Sequence, residues 1–143
     1  MIRVAKRRIV LGCMVCVIGI CLNACGIFKI KPAAEVLTER VSGLMDAKIS
    51  NDWGKVYDFY DPSYKAKKPK DAFVGINRQS QIIKYEIESI EIAPSEDTAT
   101  VKVKYTAKAM GFEFNGIINT QTWMKRGWTW YLQVNEDSSS KPF

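Results

Sequence analysis

Apolar residues between positions 33 and 76 recur at steps of three or four residues, the spacing of one face of a helix. One set predicts an amphipathic helix of about four turns and consists of Leu37, Val41, Leu44, Met45 and Ile49. A second set predicts a short helix that ends at Asp61-Pro62 and consists of Trp53, Val56, Tyr57 and Tyr60. A lysine-rich loop is expected next, and then a third short helix that Asp71 can cap.

From residue 83 the hydrophobic period changes to the two-residue alternation of strands. The alternation shifts its phase at Ser89, which predicts a β-bulge in the first strand. The clearest strand covers residues 98–110 and places on one face Ala99, Val101, Val103, Tyr105, Ala107 and Ala109. A return strand reaches Trp123, and a last strand covers residues 128–134. The inward phase of the return strand stays open, because Ile117 and Ile118 point to opposite faces.

Helices followed by four antiparallel strands predict an α+β fold. We divide the chain into a leader at residues 1–24, a tether at 25–32, a folded α+β domain at 33–135 and a loose tail at 136–143. The whole chain has a formal charge of +6. Most of that charge lies in the leader, so basic composition alone does not indicate a nucleic-acid partner for the folded domain.

The leader has the pattern of an export signal. Residues 1–8 are basic, and Ile9–Leu22 is an uncharged apolar run that is short for a membrane span. All four cysteines of the chain lie within its first 25 residues, so the folded domain is stabilised by packing and not by disulfides. Two alternatives stay open: an uncleaved anchor helix extending to Phe28, and ordinary cleavage near Ala24 that leaves Cys25 free.

The end of the leader reads Leu22-Asn23-Ala24-Cys25. This tetrapeptide resembles the lipobox of bacterial lipoproteins. The resemblance implies that the signal peptidase recognises Leu22 and Ala24, and that Cys25 is lipidated. The chain would then be a membrane-anchored, exported protein facing the periplasm or the cell surface, because several acyl chains hold a protein almost permanently in a bilayer.

Two stretches of the domain carry a second resemblance. The segment 52–59 (DWGKVYDF) and the ending 128–132 (WTWYL), which follows a glycine turn, resemble small NTF2-like (SnoaL-like) domains. The resemblance implies a curved sheet wrapped around a long N-terminal helix into a cone. A cystatin-like domain with one helix on a sheet is the rival fold.

The resemblance also implies candidates for chemistry. NTF2-like enzymes place a carboxylate beside Tyr or His in the cone, and this chain has no His. Asp58 with Tyr57, Tyr60 or Tyr105 remains as a carboxylate–tyrosine set for a small-molecule isomerase or dehydratase, although a surface position for Asp58 is the simpler expectation. The aromatic residues that either line a pocket or fill the core are Trp53, Tyr57, Tyr60, Phe73, Tyr105, Trp123 and Trp130.

We therefore expect a lipid-anchored envelope domain that is not an enzyme and binds a protein or a small apolar ligand. No cofactor and no metal site are expected, since the folded domain has neither His nor Cys. Lys102, Lys104 and Lys108 share the polar face of one strand, which is a solvated face or one suited to an anionic membrane surface. Export argues against a nucleic-acid partner.

Overall fold

The structure of the chain is a computed structural model and describes residues 31–76 and 81–134. In these residues four helices precede four strands. The helices are α1 (Ala33–Ile49), α2 (Trp53–Asp58), α3 (Pro62–Lys67) and α4 (Lys70–Ile76). The strands are β1 (Gln81–Ile92), β2 (Thr98–Ala109), β3 (Phe112–Arg126) and β4 (Thr129–Leu132). The predicted α+β class, with helices and a four-stranded antiparallel sheet, is confirmed.

The helices begin where side chains can satisfy free backbone N–H groups. Asp52 caps α2, its carboxylate accepting a hydrogen bond from the Lys55 amide at 3.0 Å. Asp61 caps α3 in the same way, and Pro62 occupies the first helical position, which needs no N–H donor. The stretch expected to be a lysine-rich loop therefore contains a short helix that we did not predict.

The sheet is open, with the strands in the order β1-β2-β3-β4. Val101 of β2 lies opposite Ile90 of β1 and Gln121 of β3. The predicted bulge in β1 is present, because the pairing shifts between Ile87 and Ser89. A second shift in the same strand, between Ile82 and Lys84, was not predicted.

A bulge in β3 explains why the sequence does not show which residues of this strand face the core. Tyr105 pairs with Ile117 and Ala107 pairs with Phe114, so β3 uses three steps where β2 uses two. Gly116 lies in this bulge with φ +71°, a conformation that glycine adopts without steric cost. The extra residue places Ile117 and Phe114 on the same face, although their numbering puts them in opposite phases.

The core lies between the sheet and the helices. Trp123 and Trp130 are fully buried there, against Leu37, Val41 and Leu44 of α1. Gln121 is buried beside them, and its Oε1 accepts a hydrogen bond from Trp123 Nε1 at 3.0 Å. The amide thus satisfies the indole N–H inside the core, which is why a polar residue is tolerated there.

The short strand β4 joins the helices to the sheet. Leu132 pairs with Trp123 of β3 on one side and forms an isolated bridge with Tyr60 on the other. The Asp61 amide donates to the Leu132 carbonyl at 3.0 Å, and the Leu132 amide donates to the Phe59 carbonyl at 2.9 Å. The segment between α2 and α3 is therefore fixed to the sheet by its backbone.

Candidate functional site

The candidate pair Asp58 and Tyr57 does not share a site. The Asp58 side chain is 63% exposed and forms an ion pair with Lys70 at 3.1 Å. The Tyr57 hydroxyl is directed to the backbone and donates to the carbonyl oxygens of Lys68 at 2.7 Å and Lys65 at 3.2 Å. The Asp58 carboxylate and the Tyr57 hydroxyl therefore have different hydrogen-bond partners.

The aromatic candidates pack together. Phe73 lies at the centre of one group, with ring centroids 5.4 Å from Tyr57, 5.2 Å from Tyr60 and 6.4 Å from Trp53. Trp123 and Trp130 belong to the buried core, and Tyr105 is partly buried against it. Burial raises the pKa of Tyr60 to about 12, so its hydroxyl stays protonated at neutral pH. Each of these rings has contacts expected of core packing.

A buried carboxylate that the sequence analysis did not single out is Asp61, which is 1% exposed. Arg126 donates to it through Nε at 2.5 Å and Nη2 at 3.2 Å, and Ser63 donates through its amide at 2.8 Å. The Arg126 guanidinium, together with Ser63, holds the pKa of Asp61 well below its usual range. Asp61 is therefore ionised at neutral pH and poorly suited to act as a general base there.

A small cavity of about 270 Å³ adjoins Asp61. Its lining includes Ser63, Tyr64, Lys68 and Gln133. The Gln133 Nε2 atom is buried without a hydrogen-bond partner within the described ranges. The volume is below that of most small-molecule sites. We assign to this region a structural role, in which the Asp61 pair joins the start of α3 to the end of β3.

Two larger concavities of about 470 Å³ each lie on the sheet. The first is lined by side chains of both charges, including Lys84, Glu86 and Lys104, of which Glu86 and Lys104 pair across the strands. The second lies around Ile92 and Thr122. Neither contains a residue that we identified as a candidate for chemistry except Tyr105, at the first.

The most unusual surface of the domain is the turn between β2 and β3, which we call the hairpin tip (residues 109–114). Three large apolar side chains are exposed there: Met110 is 94% exposed, Phe112 70% and Phe114 50%. Phe112 and Phe114 lie opposite Ala109 and Ala107, on the face that carries the core residues further along the sheet. Clusters of exposed apolar side chains mark interaction sites in folded proteins.

The face of β2 opposite to the core is basic next to the hairpin tip. Lys104 and Lys108 are exposed on it, and Glu113 lies opposite Lys108 on β3. The apolar tip thus adjoins a charged face of the sheet. The sequence does not reveal it, because alternating Phe112 and Phe114 have the pattern of core residues and their exposure follows only from the fold.

Within residues 31–76 and 81–134, no helix is long and apolar enough to cross a membrane. In the same ranges no group of three or more His, Cys, Asp or Glu side chains could hold a metal ion. The proposed lipidation and cleavage residues Leu22, Ala24 and Cys25 lie outside the described residues.

Comparison with known proteins yields structural neighbours only. No family model matches the chain. No curated protein matches it either. A SEC-C motif containing protein from Psychrobacter arcticus superposes with a TM-score of 0.58 at 13% identity, over 78% of this chain and 66% of that one. A SEC-C motif containing protein from Rhodopseudomonas palustris superposes with a TM-score of 0.52 at 14% identity, over 62% of this chain and 68% of that one.

These neighbours show the fold alone, and this chain spans just under two thirds of the first neighbour's length. They correct the family resemblance drawn from the sequence. The similar structures are SEC-C motif containing proteins and not NTF2-like or SnoaL-like domains, so that resemblance is wrong, and no comparison supports the lipobox. The residues behind the domain resemblance have local roles: Asp52 caps a helix and Trp130 fills the core.

Proposed function

We propose that the chain is an exported, lipid-anchored domain of the bacterial envelope that binds a partner without catalysing a reaction. The observation that carries the binding role is the hairpin tip. Its apolar side chains Met110, Phe112 and Phe114 are exposed, whereas the large residues of the core are almost completely buried. Several large apolar side chains exposed next to one another mark an interaction site, whereas a single one, such as Trp128, is ordinary on a protein surface.

The proposed location is supported by the first 25 residues. A basic start and the apolar run Ile9–Leu22 form an export signal, and Ala24 is a small residue of the kind that precedes a cleavage site. The thiol of Cys25 follows directly and would become the acylated N-terminus. The anchor would confine the domain near the membrane and raise its effective concentration for partners there.

The environments of the acidic residues support binding more than catalysis. Asp61 is buried, but its pKa is displaced in the direction opposite to that required of a base at neutral pH. Asp58 is on the surface and paired with Lys70. A carboxylate–tyrosine mechanism needs both groups at one cavity, an arrangement that Asp58 and Tyr57 do not form.

Metabolic labelling with palmitate tests the anchor. The full chain expressed in a bacterial host should incorporate the label, and Cys25→Ser should abolish the incorporation. Cys21→Ser is the matched control, because it removes a thiol from the same segment and should leave labelling unchanged. Labelling that persists in Cys25→Ser, or an unlabelled parent chain, would contradict the proposal.

A further inference from the structure

We propose that the hairpin tip is a second membrane contact, at which Met110, Phe112 and Phe114 enter the boundary between headgroups and acyl chains of an anionic phospholipid bilayer. The inference rests on the proposed function, which places the domain beside a membrane. It adds a surface of the folded domain to the contact made by the N-terminus.

The side chains of the tip and of the adjoining part of β2 are distributed as in an interfacial element. Phe112 and Phe114 are 70% and 50% exposed and lie on one face of the hairpin, while Lys104 and Lys108 are exposed on the other. Amphipathic elements of this kind lie in the membrane interface with the apolar face buried in lipid and the cationic face toward the headgroups. The same two features are brought together here by strand alternation.

The residue at the apex supports the same conclusion. Met110 and Gly111 form the turn with φ +52° and +85°, a conformation that favours Asn-Gly or Asp-Gly in two-residue hairpins. Met110 therefore adopts an unfavourable backbone conformation, and at 94% exposure it gains no packing in return. Neither the turn nor the core explains a long apolar side chain at this position, whereas insertion into lipid does.

The charge of the hairpin complements an anionic surface. Between residues 102 and 118 the chain carries three lysines, at positions 102, 104 and 108, and one acidic residue, Glu113. Glu86 of β1 lies opposite Lys104 and reduces the positive charge locally. The net positive hairpin attracts anionic lipid headgroups and is repelled by cationic surfaces.

The proposed lipid anchor makes a weak contact sufficient. An anchor on the same chain would keep the domain near the bilayer, so the second contact forms at a raised effective concentration.

A lipid occupant explains the tip better than an added strand. Among the described residues β4 pairs with positions 123–126 of β3 and the Gln133 amide donates to the Thr122 carbonyl at 2.8 Å, so within the described ranges no strand pairs with residues 112–121 on this side. The bulge at Gly116 interrupts this edge, and bulges oppose the pairing of a further strand. A strand along the edge would also leave the apex at Met110 uncovered.

Site-specific photo-crosslinking tests the inference in the full chain and in its membrane. A benzophenone amino acid replaces Phe112 in one variant, Phe114 in a second and Trp128 in a control. Trp128 is 84% exposed but lies at the other end of β3, in the turn before β4. After illumination, mass spectrometry identifies what is attached to the probe.

We expect phospholipid adducts at positions 112 and 114 in several-fold higher yield than at 128. Adducts to another protein or to a second copy of this chain at the tip, or equal lipid yields at all three positions, would overturn the inference. So would the absence of adducts at the tip in a chain that is still found in the membrane fraction, and that result would leave the lipid anchor intact. A chain absent from the membrane fraction would overturn both proposals.

The charge contribution is tested with the same probe in reconstituted vesicles. The full chain with the benzophenone at 112 should give more lipid adduct in phosphatidylglycerol-containing vesicles than in pure phosphatidylcholine. Lys104→Glu with Lys108→Glu should remove that preference. Equal yields in both lipids would refute the role of the lysines, and a preference that persists in the double variant would do the same.

Discussion

Replacing Asp61 tests how the helices are held to the sheet. Its carboxylate is 1% exposed, caps α3 through the Ser63 amide and receives two hydrogen bonds from Arg126. Asp61→Ala loses the cap, worth about 1 kcal/mol. It also loses the charge-assisted pair, which we set at about 1–2 kcal/mol because the Arg126 side chain is 49% exposed and can be solvated afterwards.

We therefore expect Asp61→Ala to lower the free energy of unfolding by about 2–3 kcal/mol. Asp61→Asn keeps an oxygen for the Ser63 amide and should lose about 1–2 kcal/mol. The matched control is Asp58→Asn, which removes the same charge from a surface ion pair with Lys70 and should cost less than about 0.5 kcal/mol.

The loss of unfolding free energy caused by Asp61→Asn should depend on pH. The folded-state pKa of Asp61 is lowered, so its stabilisation is complete above the unfolded pKa of about 3.9 and declines as the pH falls below it. The difference between the parent chain and Asp61→Asn should therefore shrink between pH 7 and pH 3.

Urea titration of the full chain in a mild non-ionic detergent, followed by tryptophan fluorescence, measures these differences. The buried indoles of Trp123 and Trp130 report unfolding of the core. The reasoning would be refuted if Asp61→Asn cost no more than Asp58→Asn, or if its cost were the same at pH 7 and pH 3.

Three further predictions use the same titration. Trp130→Ala should cost about 3–5 kcal/mol because the ring is fully buried, and a loss near zero would contradict this packing. Tyr57→Phe should cost about 1 kcal/mol through the lost hydrogen bond to the Lys68 carbonyl, and no loss would show that the bond is not stabilising. Desolvation of the partly buried Lys48 side chain lowers its pKa to about 8, so its charged form opposes folding at pH 7. Lys48→Met should be more stable than the parent chain at pH 7. This difference in stability should shrink as the pH rises from about 8 to 10.4, where Lys48 loses its charge in the folded and then in the unfolded chain. A difference that stays constant over this range would contradict the lowered pKa of Lys48.

The elements with one buried face could be predicted from the sequence. The alternation in β2 is regular because alternate side chains meet the core, and Val101 and Val103 are fully buried. The same logic located α1, whose buried residues recur at helical spacing. The face of the sheet on which each β3 residue lies could not be predicted, because the bulge at Gly116 moves the side chains beyond it from one phase of the alternation to the other.

The features that could not be predicted from the sequence depend on contacts between residues far apart in the chain, or on which side chains stay exposed in the folded domain. Asp61 and Arg126 are 65 positions apart, so their pairing leaves no local pattern beyond the cap motif Asp61-Pro62. Phe112 and Phe114 have the alternation of core residues, and their exposure follows only from the tertiary arrangement. The domain resemblance failed for a related reason, since helix caps and buried aromatic residues are shared by many α+β folds.

The central claim is that this domain is exported and held at a membrane by acylation of Cys25. Intact mass spectrometry of the full-length gene product, extracted from bacterial membranes, tests this most directly. The account predicts a chain that begins at Cys25 and carries the added mass of acyl chains at its N-terminus. A chain that still begins at Met1, or a Cys25 without added mass, would contradict it.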